Sequence, residues 1–82
     1  MEKVKLIWDF RGADTQKMAE HYNKHLVEFF ETKKINLIES GFTKVSEMYY
    51  FTYAIINAID VNNVKDAIKP HRALLLKIRW GF

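Results

Sequence analysis

The spacing of apolar residues switches repeatedly between two periods along this chain, and the order of those switches constrains the fold more than any other feature. Residues 3–10 read KVKLIWDF. Val4, Leu6, Trp8 and Phe10 alternate with Lys3, Lys5, Ile7 and Asp9, the period of two expected of a strand with one buried face. Arg11-Gly12 interrupts the run, and Gly12 suits a turn that needs an unusual backbone angle. Asp14 or Thr15 can then cap a helix running to about residue 32. At 100° per residue, Met18, Ala19, Tyr22, Leu26, Phe29 and Phe30 share one sector, which predicts the face laid on a sheet, with Val27 left on the outer side.

The segment KKINLIESG reads as a turn or short extended piece ended by Gly41. Two strands follow, at about 42–47 and 49–57. The second, YYFTYAIIN, is rich in aromatic and β-branched residues. Asp60 can cap a second helix whose stripe is Val61, Val64, Ala67 and Ile68, and Pro70 ends or kinks it. ALLLKIRWGF supplies a last strand, with Leu74, Leu76, Ile78 and Trp80 expected on the helix-covered face and Leu75, Lys77 and Arg79 on the other.

The order is therefore β-α-β-β-α-β. It predicts an α+β, ferredoxin-like sandwich: a four-stranded antiparallel sheet with two helices on one face. With 82 residues, 49% hydrophobic and 28% charged, the chain has a folding composition and reads as a single domain over residues 1–82. The core is near the lower limit for independent stability, which favours a homodimer joined through the sheet face that the helices leave bare. That face is expected to carry Lys5, Ile7 and Asp9, with Tyr49 or Tyr50 according to register.

Composition excludes several chemistries. No cysteine is present, which removes disulfides, thiolate catalysis and cysteine-ligated metals. No Gly-rich phosphate loop, dinucleotide fingerprint or G-x-S-x-G elbow occurs. The net charge of +3 is modest and its residues are scattered. SGFTKVSEM lacks the aromatic run by which sheet-based RNA-binding domains stack bases, so the sequence argues against a nucleic acid partner. No apolar run approaches membrane-spanning length, and MEKVKLIWDF has no secretory leader. A cytoplasmic protein with no membrane partner is the expectation.

Two constellations carry candidate chemistry. In AEHYNKHLVEF, His21, His25 and Glu28 fall on one flank of the first helix, where they can be metal ligands. The pattern is not H-E-x-x-H, so the base of a zinc protease is missing. The second depends on the fold. WDFRG closes the first strand and KPHRA opens the last, and in the expected topology these ends are neighbours. Asp9 can orient His71, the plausible general base, or pair with an arginine. Arg11 and Arg72 can grip a carboxylate or phosphate. His71 and Asp9 are thus the catalytic candidates. Arg11, Arg72, His25 and Trp8 are the ligand-binding candidates.

With KLIWDF on its first strand and EHYNKHLVEFF on its first helix, the chain resembles the dimeric α/β-barrel superfamily, which includes YciI-like and EthD-like proteins and small antibiotic-biosynthesis monooxygenases. WDFRG together with KPHR also resembles a small bacterial family of uncharacterised proteins. The superfamily resemblance implies ferredoxin-like subunits paired sheet to sheet, with a cavity between sheet and helices, and opens the alternative of a cofactor-free oxygenase or isomerase. The expectation from residues alone is a homodimer that binds a small anionic organic ligand, its cofactor requirement unknown. The alternative from another class is a non-enzymatic protein-interaction module using the open sheet face.

Overall fold

The computed structural model describes residues 2–76. Its elements are β1 (Lys3–Arg11), α1 (Thr15–Lys33), β2 (Leu37–Ser46), β3 (Tyr49–Asn57), α2 (Val61–Ile68) and β4 (Arg72–Leu76), with a 3-10 turn at Ala58–Asp60. The strands form one antiparallel sheet in the order β2-β3-β1-β4. Both helices lie on one face, which is the expected β-α-β-β-α-β arrangement. The alternation in β1 and β3 does the work. Val4, Leu6 and Trp8 from β1, with Ala54 and Ile56 from β3, meet Leu26 and Phe30 of α1 and Val64 of α2 in the buried core.

The chain enters α1 through a strained corner. Gly12 has φ +115°, a conformation available to glycine, and its N–H donates to the Met48 carbonyl at 2.8 Å. Asp14 occupies the N-cap position with φ 61°, and its side chain makes no capping hydrogen bond. The helix ends at Lys34, also left-handed, and the Ile35 N–H returns to the Phe30 carbonyl at 3.1 Å. Ala19, Leu26 and Phe30 form the buried stripe. Met18, expected with them, is 47% exposed, because its position lies at the edge of the sector.

Three expectations need correction. First, the sheet is open and no barrel closes: β2 and β4 are its outer edges, and four strands leave no partner for either. The resemblance to the dimeric α/β-barrel group is overturned to that extent, and the ferredoxin-like topology stands. Second, β2 starts at Leu37, and Gly41 lies within it instead of ending a turn. This is an edge strand, mostly exposed, with register shifts between Leu37 and Glu39 and between Lys44 and Ser46. An exposed, irregular edge carries little alternation to read. The Tyr53 side chain lies across Gly41: a Cβ there would sit 2.9 Å from the hydroxyl and 3.1 Å from the ring, so the tyrosine would have to shift to admit one.

Third, the parity of β4 is the reverse of that expected. Leu74 pairs with Lys5 and Leu76 with Lys3, which puts both on the open face, while Ala73 and Leu75 lie opposite Leu6 and Val4 on the helix side. A run of leucines fits either face, so the pattern alone does not set the register. A backbone contact fixes it: the His71 N–H donates to the Ile7 carbonyl at 2.9 Å. The expected placements of Lys77, Ile78, Arg79 and Trp80 lie outside the described residues.

Candidate functional site

The head of β4 is held against β1 by main-chain pairing, and this brings the predicted polar cluster together. Register places Asp9 and Arg11 of β1 opposite Phe51 and Tyr49 of β3, on the face the helices leave bare. Arg72 starts β4 opposite Ile7 on that same face. Its guanidinium grips the Asp9 carboxylate with two hydrogen bonds, Nε to Oδ2 at 3.0 Å and Nη2 to Oδ1 at 2.8 Å. The Tyr49 hydroxyl donates to Asp9 Oδ1 and accepts from Arg72 Nη2 at 3.3 Å. The Arg11 guanidinium lies over the Tyr49 ring, its Cζ 3.8 Å from the ring centre, and has no carboxylate partner among the described residues.

The electrostatics follow from this geometry. Partial burial pushes the Asp9 carboxyl up, but the Arg72 and Tyr49 hydrogen bonds, with the charges of Arg72 and His71, outweigh it and hold the group below its ordinary value. The hydrogen bond to Asp9 raises Tyr49, and the same carboxylate raises Arg72. Asp9 is thus an ionised anchor occupied on both oxygens. His71 meets the Asp9 main chain instead of its carboxylate: the Asp9 N–H donates to Nδ1 at 2.8 Å. A neutral His71 in this arrangement carries its proton on Nε2 and presents a donor there.

Behind the cluster, between α2 and β4, lies an open cleft of about 350 Å³. Leu6, Val61, Pro70 and Ala73 give it an apolar lining, and Lys65, Lys69, His71 and Arg72 give it a basic one, against a single carboxylate at Asp66. Its size falls at the small end of ligand sites. Lys65 and Lys69 were not singled out by sequence. Lys65 lies in the last turn of α2 and Lys69 is its left-handed C-cap, so the signal was a pair of lysines at the helix end that precedes Pro70 and His71. Tyr49 was reachable only through register.

Neither Trp8 nor His25 borders this cleft. Trp8 is 3% exposed, and its indole N–H donates to the Ile68 carbonyl at 2.7 Å while its ring packs against Tyr22. It ties the end of α2 to β1. His25 lies on the exposed flank of α1, its Nε2 2.9 Å from His21 Nε2 and its Nδ1 3.6 Å from Glu28 Oε1. The two histidines are brought together, whereas Glu28 stands beside the far nitrogen of His25. Among the described residues, no group of three or more His, Asp or Glu side chains is arranged to hold a metal ion.

Fold and site together define a small α+β domain with one bare sheet face, a fastened polar corner and a basic cleft beside it. Compared with models of known protein families, with curated proteins and with solved structures, the chain matches none at a significant level. No helix among the described residues is long and apolar enough to cross a membrane.

Proposed function

We infer that this chain is a small-molecule-binding protein, working as a homodimer, that takes a small organic anion in the cleft between α2 and β4. The observation that carries the reading is the composition of that cleft, in which Lys65, Lys69 and His71 stand around an apolar lining. Such a lining holds the hydrocarbon part of a ligand while the lysine ammonium groups, with the His71 Nε2–H, hold its carboxylate or phosphate. Arg72 borders the cleft but its guanidinium is held by Asp9 on the bare sheet face, where Arg11 offers a further guanidinium at the same corner. The role assigned here is binding. The Asp9 carboxylate is occupied by Arg72 and Tyr49, so the reading does not rest on proton transfer between Asp9 and His71.

The test is a titration of the labelled protein with benzoate, phenyl phosphate and inorganic phosphate, followed by amide chemical shifts. The organic anions are expected to move the signals of Lys65, Lys69, His71 and Arg72 at lower concentration than inorganic phosphate. Lys65→Gln with Lys69→Gln should weaken their binding by roughly 5–10-fold, the effect of losing two partly solvated charge contacts. Shifts confined to other parts of the molecule, or equal binding by the double variant, would reject the cleft.

A second reading, a non-enzymatic module that docks a partner protein on the open sheet face, is favoured by Leu74, which is 47% exposed there. It predicts a monomer, and the homodimer reading does not.

A further inference from the structure

The histidine pair on α1 takes no part in the cleft, and its geometry points to a ligand of its own. We propose that His21 and His25 form a two-imidazole site for a late first-row divalent cation, with copper(II) preferred over nickel(II) and zinc(II).

Spacing and exposure supply the frame. The residues are four apart within the 19-residue helix Thr15–Lys33, so their side chains rise from adjacent turns on one flank. Both are exposed, and the His25 side chain retains 59% of its accessible surface. Water can therefore fill the positions the protein leaves open. The rings meet edge to face, 85° apart with centres 4.4 Å apart, and present Nε2 to Nε2 at 2.9 Å. Only one proton fits between two such nitrogens. When a cation replaces it, a small rotation of either ring turns both lone pairs to one point.

Ligand type and coordination geometry rank the metals. Two metal–nitrogen bonds of about 2.0 Å at a right angle put their nitrogens about 2.8 Å apart, whereas a tetrahedral pair needs about 3.3 Å. The observed 2.9 Å, the length of the hydrogen bond the rings now share, is close to the spacing of neighbouring corners of a tetragonal site, so little motion is needed to reach the arrangement copper(II) and nickel(II) prefer. Copper also stands highest in the general affinity order for such nitrogen ligands. Glu28 has a part that sequence alone did not assign. It faces His25 Nδ1, the nitrogen that must carry a proton once Nε2 holds the metal. It is a positioning residue and not a third ligand.

The experiment uses the full chain in a buffer that does not bind copper, titrated with copper(II), nickel(II) and zinc(II) chlorides. Calorimetry and electron paramagnetic resonance read the result. One equivalent of copper is expected to bind, with hyperfine structure from two imidazole nitrogens and affinity above that for nickel or zinc. His21→Gln and His25→Gln should each weaken binding by at least ~10-fold, the loss caused by removing even an outer partner of a ligand. Glutamine is as good a helix former as histidine or better, so both variants keep α1, and circular dichroism checks this. Glu28→Gln should weaken binding less than either. Copper bound equally by the His21→Gln/His25→Gln variant, a signal from one imidazole, or zinc bound more tightly than copper would overturn the proposal.

Discussion

Asp9 makes stability depend on acid in a defined direction. Its carboxyl is held below the ordinary value of about 3.9 by Arg72 and Tyr49, so the unfolded chain takes up its proton first as pH falls. The stability it contributes is fully present above about pH 4–5 and is lost as pH drops through the depressed value. Asp9→Asn removes this contribution at neutral pH. Thermal melting of the two proteins should therefore differ at pH 6–7, with the variant lower, and the gap should narrow progressively as pH falls below the ordinary carboxylate value of about 3.9. A gap unchanged across that range would mean that Asp9 is not the ionised partner of Arg72. The same residue shows how far sequence reading reaches. WDFRG and KPHRA announced that Asp9, Arg11, His71 and Arg72 could meet. Which atoms meet was decided by the pleat, which gives the carboxylate to Arg72 and the main-chain N–H to His71.

At the scale of elements, α2 is short and depends on what it touches. Eight residues are too few for a helix to be stable alone. Val64 buries its inner side, and the Trp8 indole N–H holds the carbonyl of Ile68 at its last turn. Tyr22 offers only a longer contact of 3.4 Å to that carbonyl. Trp8→Phe keeps most of the packing and deletes the donor. It should cost about 1 kcal/mol, the net worth of one hydrogen bond, and speed amide exchange in α2 more than in β3. Equal acceleration everywhere would reduce Trp8 to a space-filling role. β2 makes the complementary point. Its sequence carries little amphipathic signal because its residues are mostly exposed, and it is a strand because β3 offers it an edge to pair with.

At the scale of the molecule, one face of the sheet has helices and the other has none. The bare face is not polar: Ile7, Phe51, Ile55, Leu74 and Leu76 share it with Lys5, which sits 4.5 Å over the Tyr53 ring. The molecule is a slab of 38 × 36 × 17 Å, broad enough on that side for an interface of standard size, about 800 Å² per partner. The homodimer reading predicts a sedimentation coefficient for two chains at micromolar concentration. Leu74→Asp, at a half-exposed position, should shift the species to one chain with the circular dichroism spectrum unchanged. A wild-type monomer at high micromolar concentration would remove the dimer and favour docking of another protein.

The sequence by itself determined the order of elements, the ends of α1 to within a residue or so, the span of β3, and the core residues Val4, Leu6, Trp8, Leu26, Phe30 and Val64. It could do so because those segments are amphipathic, and burial of one face leaves a period that can be read locally. It also gave the topology that makes the ends of β1 and β4 neighbours. Tertiary structure alone decided the edge strand β2, the face to which Leu74 and Leu76 turn, the entry of Tyr49 into the Asp9–Arg72 network, and the cleft beside Lys65 and Lys69. Each of these depends on cross-strand register or on the approach of distant elements. A shift of one residue exchanges the two faces of a strand, and nothing in a run such as ALLL opposes it until the His71 N–H finds the Ile7 carbonyl.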